Sequence, residues 1–157
     1  MYQIGDKIVY PMHGAGIIDC IEEKKILGTT HRYYVLRVSG GDMKVMIPVD
    51  KCDEIGIRPI IATSQVEAVV EVLQAPSTEM SDNWNRRNRE NMELLKTGDI
   101  KVVAGVVRNL MRVEKIKPLS TGEKKMLTNA KKILESELIL VLGQEESAVE
   151  KMIEAAV

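Results

Sequence analysis

The first sixty residues are built from short apolar segments in which hydrophobic side chains recur every second position. In residues 31–40, Tyr34, Leu36 and Val38 fall on one face of an extended chain, and the residues between them fall on the other. Gly40 and Gly41 follow this segment and predict a tight hairpin, because glycine accepts the positive φ of primed turns. Similar segments are KIVYP, GAGIIDCIEEKKIL and VMIPV. The pattern predicts a small, strongly bent antiparallel sheet or barrel.

After residue 62 the apolar residues recur at spacings of three and four, which is the period of a helix. Five helices are predicted. The first runs from a capping box of Ser64 and Glu67 to Pro76, the second from Ser81 or Asp82 to Gly98, and the third from the cap Asp99 to Pro118. The fourth begins at a capping box of Ser120 and Glu123, and the fifth covers residues 145–156. We therefore predict an α+β protein with a β domain of residues 1–60. A short connection would join it to an all-helical domain of residues 63–157.

Charge is unevenly distributed along the chain, although the formal net charge is only −1. Residues 1–62 are neutral, and residues 63–83 carry a net charge of −4. From Trp84 to Lys132, thirteen Lys and Arg stand against five acids, a net charge of +8, and the last 25 residues carry −5. A basic block between acidic flanks suits a polyanionic partner, although a charged, solvated helix face would have the same composition.

The only tryptophan opens this basic block, in the polar stretch SDNWNRRNRE. On a helix, the neighbours of Trp84 are Arg87, Asn88 and Asn91, so no apolar stripe continues from the ring. A lone tryptophan is most often a core residue or an interface anchor, but these polar neighbours argue against the core. Arginine suits phosphate, asparagine suits base edges, and a flat ring can stack or wedge. We therefore predict contact with DNA or RNA, with a protein-interface anchor as the competing interpretation.

The sequence contains no arrangement of side chains typical of an enzyme or a metal site. His13 and His31 are the only histidines, and neither lies in an HExxH motif or a nucleophile elbow. Cys20 and Cys52 lack metal-ligand spacing and are expected to be buried, reduced thiols. We expect a non-enzymatic protein without metal or cofactor. A cytoplasmic location is expected, because no segment has the length and apolarity of a membrane span or a signal peptide.

Several motifs in order along the chain resemble one known family. The run GDKIVYPMHGAGII with IPV, then NWNRR, LLKTGD, VVRNL and LSTGEKKML, resemble the CarD/CdnL family of bacterial transcription regulators. The resemblance implies a Tudor-like (SH3-like) N-terminal domain, similar to the polymerase-interacting domain of transcription-repair coupling factors, that binds the RNA polymerase β subunit. It also implies a helical C-terminal domain that contacts promoter DNA at the upstream edge of the transcription bubble.

The resemblance further implies roles for individual residues of the DNA-binding region. Trp84 would wedge into the minor groove at the junction of duplex and single strand. Arg86, Arg87 and Arg89 would hold the DNA backbone, and Asn85 is the further residue expected at this interface.

Three positions depart from the family pattern. The residue after the arginine pair is commonly aromatic in the family and is Asn88 here. On the surface implied to bind polymerase, Lys24 and Met46 replace arginines found in some members. Lysine keeps the charge but loses the bidentate fork, and methionine loses the charge altogether.

The expected function is a transcription regulator that bridges polymerase and promoter DNA, stabilises the open complex and is associated with the nucleoid through RNA polymerase. Sequence-specific DNA binding is not expected, because no recognition helix with base-reading side chains is evident. The alternative is a protein-only adaptor in which Trp84 anchors a second protein.

Overall fold

The protein is described by a computed structural model that covers residues 1–157. The strands are β1 Lys7–Tyr10, β2 Gly14–Ile26, β3 Thr29–Val38, β4 Lys44–Pro48 and β5 Arg58–Pro59. The helices are α1 Cys52–Ile55, α2 Val66–Gln74, α3 Trp84–Lys96, α4 Ile100–Ile116, α5 Thr121–Leu142 and α6 Glu146–Ala156. An antiparallel sheet followed by five long helices confirms the predicted α+β class. The short helix α1 and strand β5 were not predicted.

The sheet has the strand order β4-β3-β2-β1-β5, with every neighbouring pair antiparallel. One face carries the core of the sheet, in which Ile18, Tyr34, Leu36 and Ile47 are fully buried. The register between β2 and β3 shifts at Ile18 to Cys20, which is a bulge that bends the long hairpin. The alternation predicted for β3 is incomplete, since Val35 on the opposite face is also buried.

Gly16 in β2 is required by the close approach of the neighbouring strand. A Cβ atom at this position would collide with the backbone oxygen of Arg37, whereas glycine leaves the space open. The hairpin predicted at Gly40 is confirmed, with Gly40 at φ +86° and Val38 donating its N–H to the oxygen of Met43.

A second core joins the helices, with α4 and α5 at its centre. Asp99 and Ser120 cap these two helices as predicted, accepting hydrogen bonds from the N–H groups of Lys101 and Glu123. The capping box predicted at Ser64 and Glu67 is wrong. Residues 63–65 form a 3₁₀ turn without a side-chain cap, and the chain passes from that turn directly into α2.

The sheet and the helices are joined by buried polar contacts from α5. Glu137 accepts two hydrogen bonds from the guanidinium of Arg58, at 2.7 and 2.8 Å, and a third from the N–H of Ile61. Arg58 also donates to the oxygen of Gly98, and Ser136 accepts a hydrogen bond from the N–H of Ala15. The two parts are therefore bonded to each other beyond the covalent connection.

Both cysteines are free thiols. Cys52 is buried as expected, whereas Cys20 is only half-buried. None of the helices is long and apolar enough to cross a membrane.

Candidate nucleic-acid interface

The tryptophan lies at the first position of helix α3. Asn83 caps the helix by accepting a hydrogen bond from the N–H of Arg86 at 3.1 Å, so the chain turns into the helix at Trp84. The helix begins two to three residues later than the sequence predicted. The indole is 55% exposed, and the buried residues of α3, Asn91 and Leu95, come two and three turns later. The exposure follows from local sequence, because the first two turns of α3 offer no apolar face.

The loop that precedes Trp84 is held by three polar residues of helix α4. Arg112 donates to the oxygens of Leu73 and Ala75 and to the hydroxyl of Ser77. Arg108 donates to the oxygen of Val72. The loop is therefore fixed at its entry by hydrogen bonds to carbonyl oxygens in the last turn of α2 and directly after it.

Asn109 and Arg108 bind the middle of the same loop. Asn109 bonds both the N–H and the hydroxyl of Thr78, at 3.3 and 2.8 Å, and Arg108 contacts the same hydroxyl. Burial and the neighbouring Arg112 lower the pKa of the Arg108 guanidinium. The role of Arg108 and Asn109 is not evident from the sequence, because their partner Thr78 is about 30 residues away and leaves no local signal.

Three of the predicted DNA-binding residues are open to solvent on the first turns of α3. Asn85, Arg86 and Arg89 are all exposed. Arg86 pairs with Glu90 one turn later, at 2.9 Å, but both side chains are about half exposed or more, so this pair is weak and easily exchanged. Arg89 forms no ion pair or side-chain hydrogen bond. All three side chains are therefore available to a ligand.

Arg87 differs from its neighbours because it is held by a carboxylate. Its Nε and Nη2 donate to the two oxygens of Glu123 at 2.8 and 2.7 Å, and both side chains are largely buried. These hydrogen bonds raise the pKa of Arg87. Only Nη1 remains free of Glu123. The pair fixes α3 against the first turn of α5.

A second set of basic residues follows Glu123 on helix α5. Lys124 and Lys125 follow Glu123 and are exposed, and together with Lys132 they line a shallow depression along α5. The sequence predicted a basic block from residue 84 to residue 132. Lys125 and Lys132 lie about half a turn around α5 from Glu123, so the depression is on a different face of the helix from the contact with Arg87.

Asn88, one of the three positions named above as departing from the resemblance, is half-buried. Its Oδ1 is buried and has no hydrogen-bond partner. Nearly three turns after Trp84, Leu95 is buried, whereas the adjacent Leu94 is 43% exposed.

Lys24 and Met46 lie on one face of the sheet, on the two strands that flank β3. Lys24 pairs with His31, and Met46 pairs with Val35. Paired residues of antiparallel strands share a face of the sheet. Because His31 and Val35 are an even number of positions apart on β3, they also share a face, and their partners Lys24 and Met46 point to that same side. The two residues are separated by four positions along β3, about 13 Å. Lys24 is exposed and Met46 is half-buried.

The comparisons with known proteins match both parts of the chain. Residues 2–61 match the family described as "CarD-like/TRCF RID domain", and residues 68–154 match "CarD, C-terminal domain". The chain belongs to the CarD family of transcription regulators, whose members are not enzymes. The expectation of a non-enzymatic protein is confirmed by this membership.

One relative covers nearly the whole chain. The Bacillus subtilis (strain 168) protein named "Putative transcription factor YdeB" is 44% identical over 149 residues, which are 95% of this chain and 97% of the relative. A solution structure of the 72-residue N-terminal domain of Myxococcus xanthus CarD is 29% identical and covers 38% of this chain and 79% of its own, with a TM-score of 0.33. The family assignment rests on the two family matches and on the full-length relative.

Proposed function

We propose that this protein binds the RNA polymerase β subunit through residues 1–60 and promoter DNA through residues 63–157, and thereby stabilises the open complex. The observation that carries the proposal is the exposed Trp84 at the start of α3. An exposed tryptophan surrounded by exposed arginine and asparagine has the composition of a DNA contact rather than of a core.

The wedge acts because the melted promoter offers a distorted base step that a closed duplex lacks. A flat apolar ring gains contact area when it enters an unstacked step of the minor groove. Since Trp84 then binds the open state better than the closed state, the equilibrium shifts toward the open state. Asn83 caps α3 directly before Trp84, and this ordered start of the helix supports the role, because a ring whose backbone is already fixed loses less entropy on binding.

The basic residues supply an attraction that does not depend on DNA sequence. Arg86 and Arg89 are free to bind phosphates, Asn85 is exposed beside them, and Arg87 keeps its Nη1 for the same purpose. A few arginines bind DNA weakly at physiological salt. Attachment to polymerase through the sheet would raise the local concentration of this weak site near the bubble.

Replacement of Trp84 by Ala tests the wedge. The thermal midpoint should remain nearly unchanged, because an exposed ring contributes little burial, whereas loss of a core tryptophan would cost about 3–5 kcal/mol. Open promoter complexes should decay faster, while binding to polymerase should be intact. A matched control is Leu94→Ala, which removes a partly exposed apolar side chain about 15 Å further along the same helix and should leave the decay unchanged.

Trp84→Phe should retain part of the effect, since a smaller flat ring still enters an unstacked step. A large loss of stability in Trp84→Ala, together with an unaltered decay rate of open complexes, would assign the ring to the core. It would contradict the proposed insertion of the ring into DNA. An unaltered decay rate with wild-type stability, and no salt-dependent DNA association in the presence of polymerase, would favour the protein-only adaptor.

Salt dependence tests the arginines one at a time. Arg86→Ala and Arg89→Ala should each reduce the slope of log affinity against log salt by about 0.9, the value for one phosphate contact. Arg87→Ala measures whether the remaining nitrogen of this paired residue reaches a phosphate as well. Wild-type slopes in all three variants would show that this turn of α3 does not face DNA.

Charge reversal on the sheet tests the polymerase contact in the full-length protein. Lys24→Glu should weaken binding to the β subunit, and Met46→Glu should do the same by placing an acidic charge on the same face of the sheet. Lys25→Glu is the matched control, because Lys25 adjoins Lys24 and points to the opposite face of β2. Equal binding by the Lys24 and Lys25 variants, with Met46→Glu also unchanged, would exclude this face as the contact.

A further inference from the structure

Three consecutive polar residues of α5, Glu135, Ser136 and Glu137, are all buried, with exposed fractions of 6%, 1% and 3%. Ser136 and Glu137 have partners in the sheet and its connection, namely the N–H of Ala15 and the Arg58 guanidinium. Glu135 forms no hydrogen bond and no ion pair. The Glu135 residue is thus largely buried without a protein partner for its carboxyl group, whose oxygens are not closed off completely from solvent.

Glu135 faces a cavity of about 210 Å³ at the junction of the sheet and the helices. On one side lie the β3–β4 loop, residues 39–43, and His13. On the other side lie Glu135, Ser136 and Asn129 of α5, and Glu146 at the start of α6. The cavity therefore has walls from both parts of the protein. It lies away from the face of Lys24 and Met46, and neither these two residues nor Trp84 contribute to its walls.

The charged groups around Glu135 are mostly acidic. Asp42, Glu146 and Lys132 line the cavity, Glu150 and Glu154 approach from α6, and Lys131 is on the same helix. Burial, followed by the charges of Glu150 and the other α6 carboxylates, raises the pKa of Glu135 to about 7. Lys131 opposes this shift but forms no ion pair with Glu135. At neutral pH the group is therefore divided between its charged and neutral forms.

We propose that this cavity binds a small molecule that carries an ammonium or guanidinium group, with Glu135 as the buried acceptor and Glu146 as the acceptor at the rim. A cation in the cavity would supply the missing hydrogen bonds to Glu135 and would offset the repulsion from α6. The volume admits only a small ligand, since pockets for drug-sized molecules start at about 300 Å³.

Other ligand classes fit the cavity less well. An anion would meet Asp42, Glu135 and Glu146 with only Lys132 to balance them. No group of three or more His, Cys, Asp or Glu side chains is placed to hold a metal ion. An organic cation needs fewer carboxylates than a metal, and the exposed amide and hydroxyl groups of the walls can bind its remaining N–H groups.

Isothermal titration calorimetry of the full-length protein tests the proposal, with propylamine and propylguanidine as probes and propanol as the uncharged control of the same length. At pH 7, cation binding should release about half a proton per site, because Glu135 with a pKa of about 7 must ionise. Titrations in two buffers with different ionisation enthalpies measure this release. Affinity should also rise about tenfold between pH 6 and pH 8, since a protonated Glu135 does not pair with the cation.

Glu135→Gln should weaken binding of the charged probes about tenfold or more and should abolish the proton release. Glu154→Gln is the matched control: it removes one acidic charge from α6 outside the cavity and should change affinity by no more than about twofold. Equal binding of propanol, absence of proton release in the wild type, or unchanged affinity in Glu135→Gln would each overturn the proposal. If Glu135→Gln does not fold, the proton release of the wild type and the loss of affinity in Glu146→Gln decide the question.

Discussion

Removal of Arg58 should destabilise the whole protein, because it leaves a carboxylate buried without its partner. The Glu137 side chain is 3% exposed, and two of its three hydrogen bonds come from Arg58. Loss of one member of a buried ion pair costs about 3–5 kcal/mol. Since the Arg58 side chain is itself 28% exposed, water can partly replace it, and we expect Arg58→Ala to cost about 3 kcal/mol. That is a large share of the roughly 5–15 kcal/mol typical of natural domains.

Urea denaturation followed by circular dichroism measures this cost, with Arg37→Ala as the control. Arg37 also faces a carboxylate, Asp19, but at 3.5 Å with side chains that are 53% and 32% exposed. This exposed pair should contribute about 0–1 kcal/mol. Arg58→Ala should further separate the transition into two steps, because the sheet and the helices lose a strong connection. Glu137→Ala combined with Arg58→Ala should cost much less than the sum of the two single changes.

The reasoning would be refuted if Arg58→Ala and Arg37→Ala changed the free energy of unfolding equally. If the double variant lost as much free energy of unfolding as the two single variants together, the two side chains would not depend on each other. In either case the junction would be held by apolar packing between the sheet and α5, and the hydrogen bonds to Glu137 would be incidental.

Three further substitutions test other features by urea denaturation. Asn88→Leu should stabilise the protein by about 1 kcal/mol, because it removes a buried oxygen that has no hydrogen-bond partner. Gly16→Ala should destabilise it by about 3 kcal/mol, since the new methyl group would collide with the backbone oxygen of Arg37. Glu135→Gln should be more stable than the wild type at pH 8, by on the order of 2 kcal/mol, and equal to it below about pH 5. The sign follows because a carboxyl group with a raised folded pKa, here about 7, loses stability as rising pH ionises it.

Sequence pattern predicted the elements of this fold well where the determining contacts are local. The caps Asp99 and Ser120 act within one turn, and the period of apolar residues identified the sheet and the five long helices. The exposure of Trp84 was predictable for the same reason, because its neighbours on the helix are all polar. The capping box at Ser64 failed, because the chain forms a 3₁₀ turn before α2 begins.

Contacts between distant parts of the chain could not be predicted. Glu137 reads as a solvated residue of a helix, and its partner Arg58 is 79 positions away. Arg87 reads as one of three equivalent arginines, yet it alone meets a carboxylate from α5, 36 positions later. Burial of consecutive polar residues requires partners from another element, and the periodicity of one helix contains no information about them.

The hydrogen bonds that join Glu137 to Arg58 and Ile61 fix the position of the helices relative to the sheet. A flexible connection would let the end proposed to bind DNA search a volume around the proposed contact with polymerase, whereas a bonded junction presents the indole at one distance and in one direction. If both proposed contacts hold, the fixed distance between them makes binding sensitive to the position of the melted junction, to within a single base step of about 3.4 Å. A promoter that melts one step further along would place its first unstacked base beyond the reach of the ring, without any change in the affinity of either end taken alone.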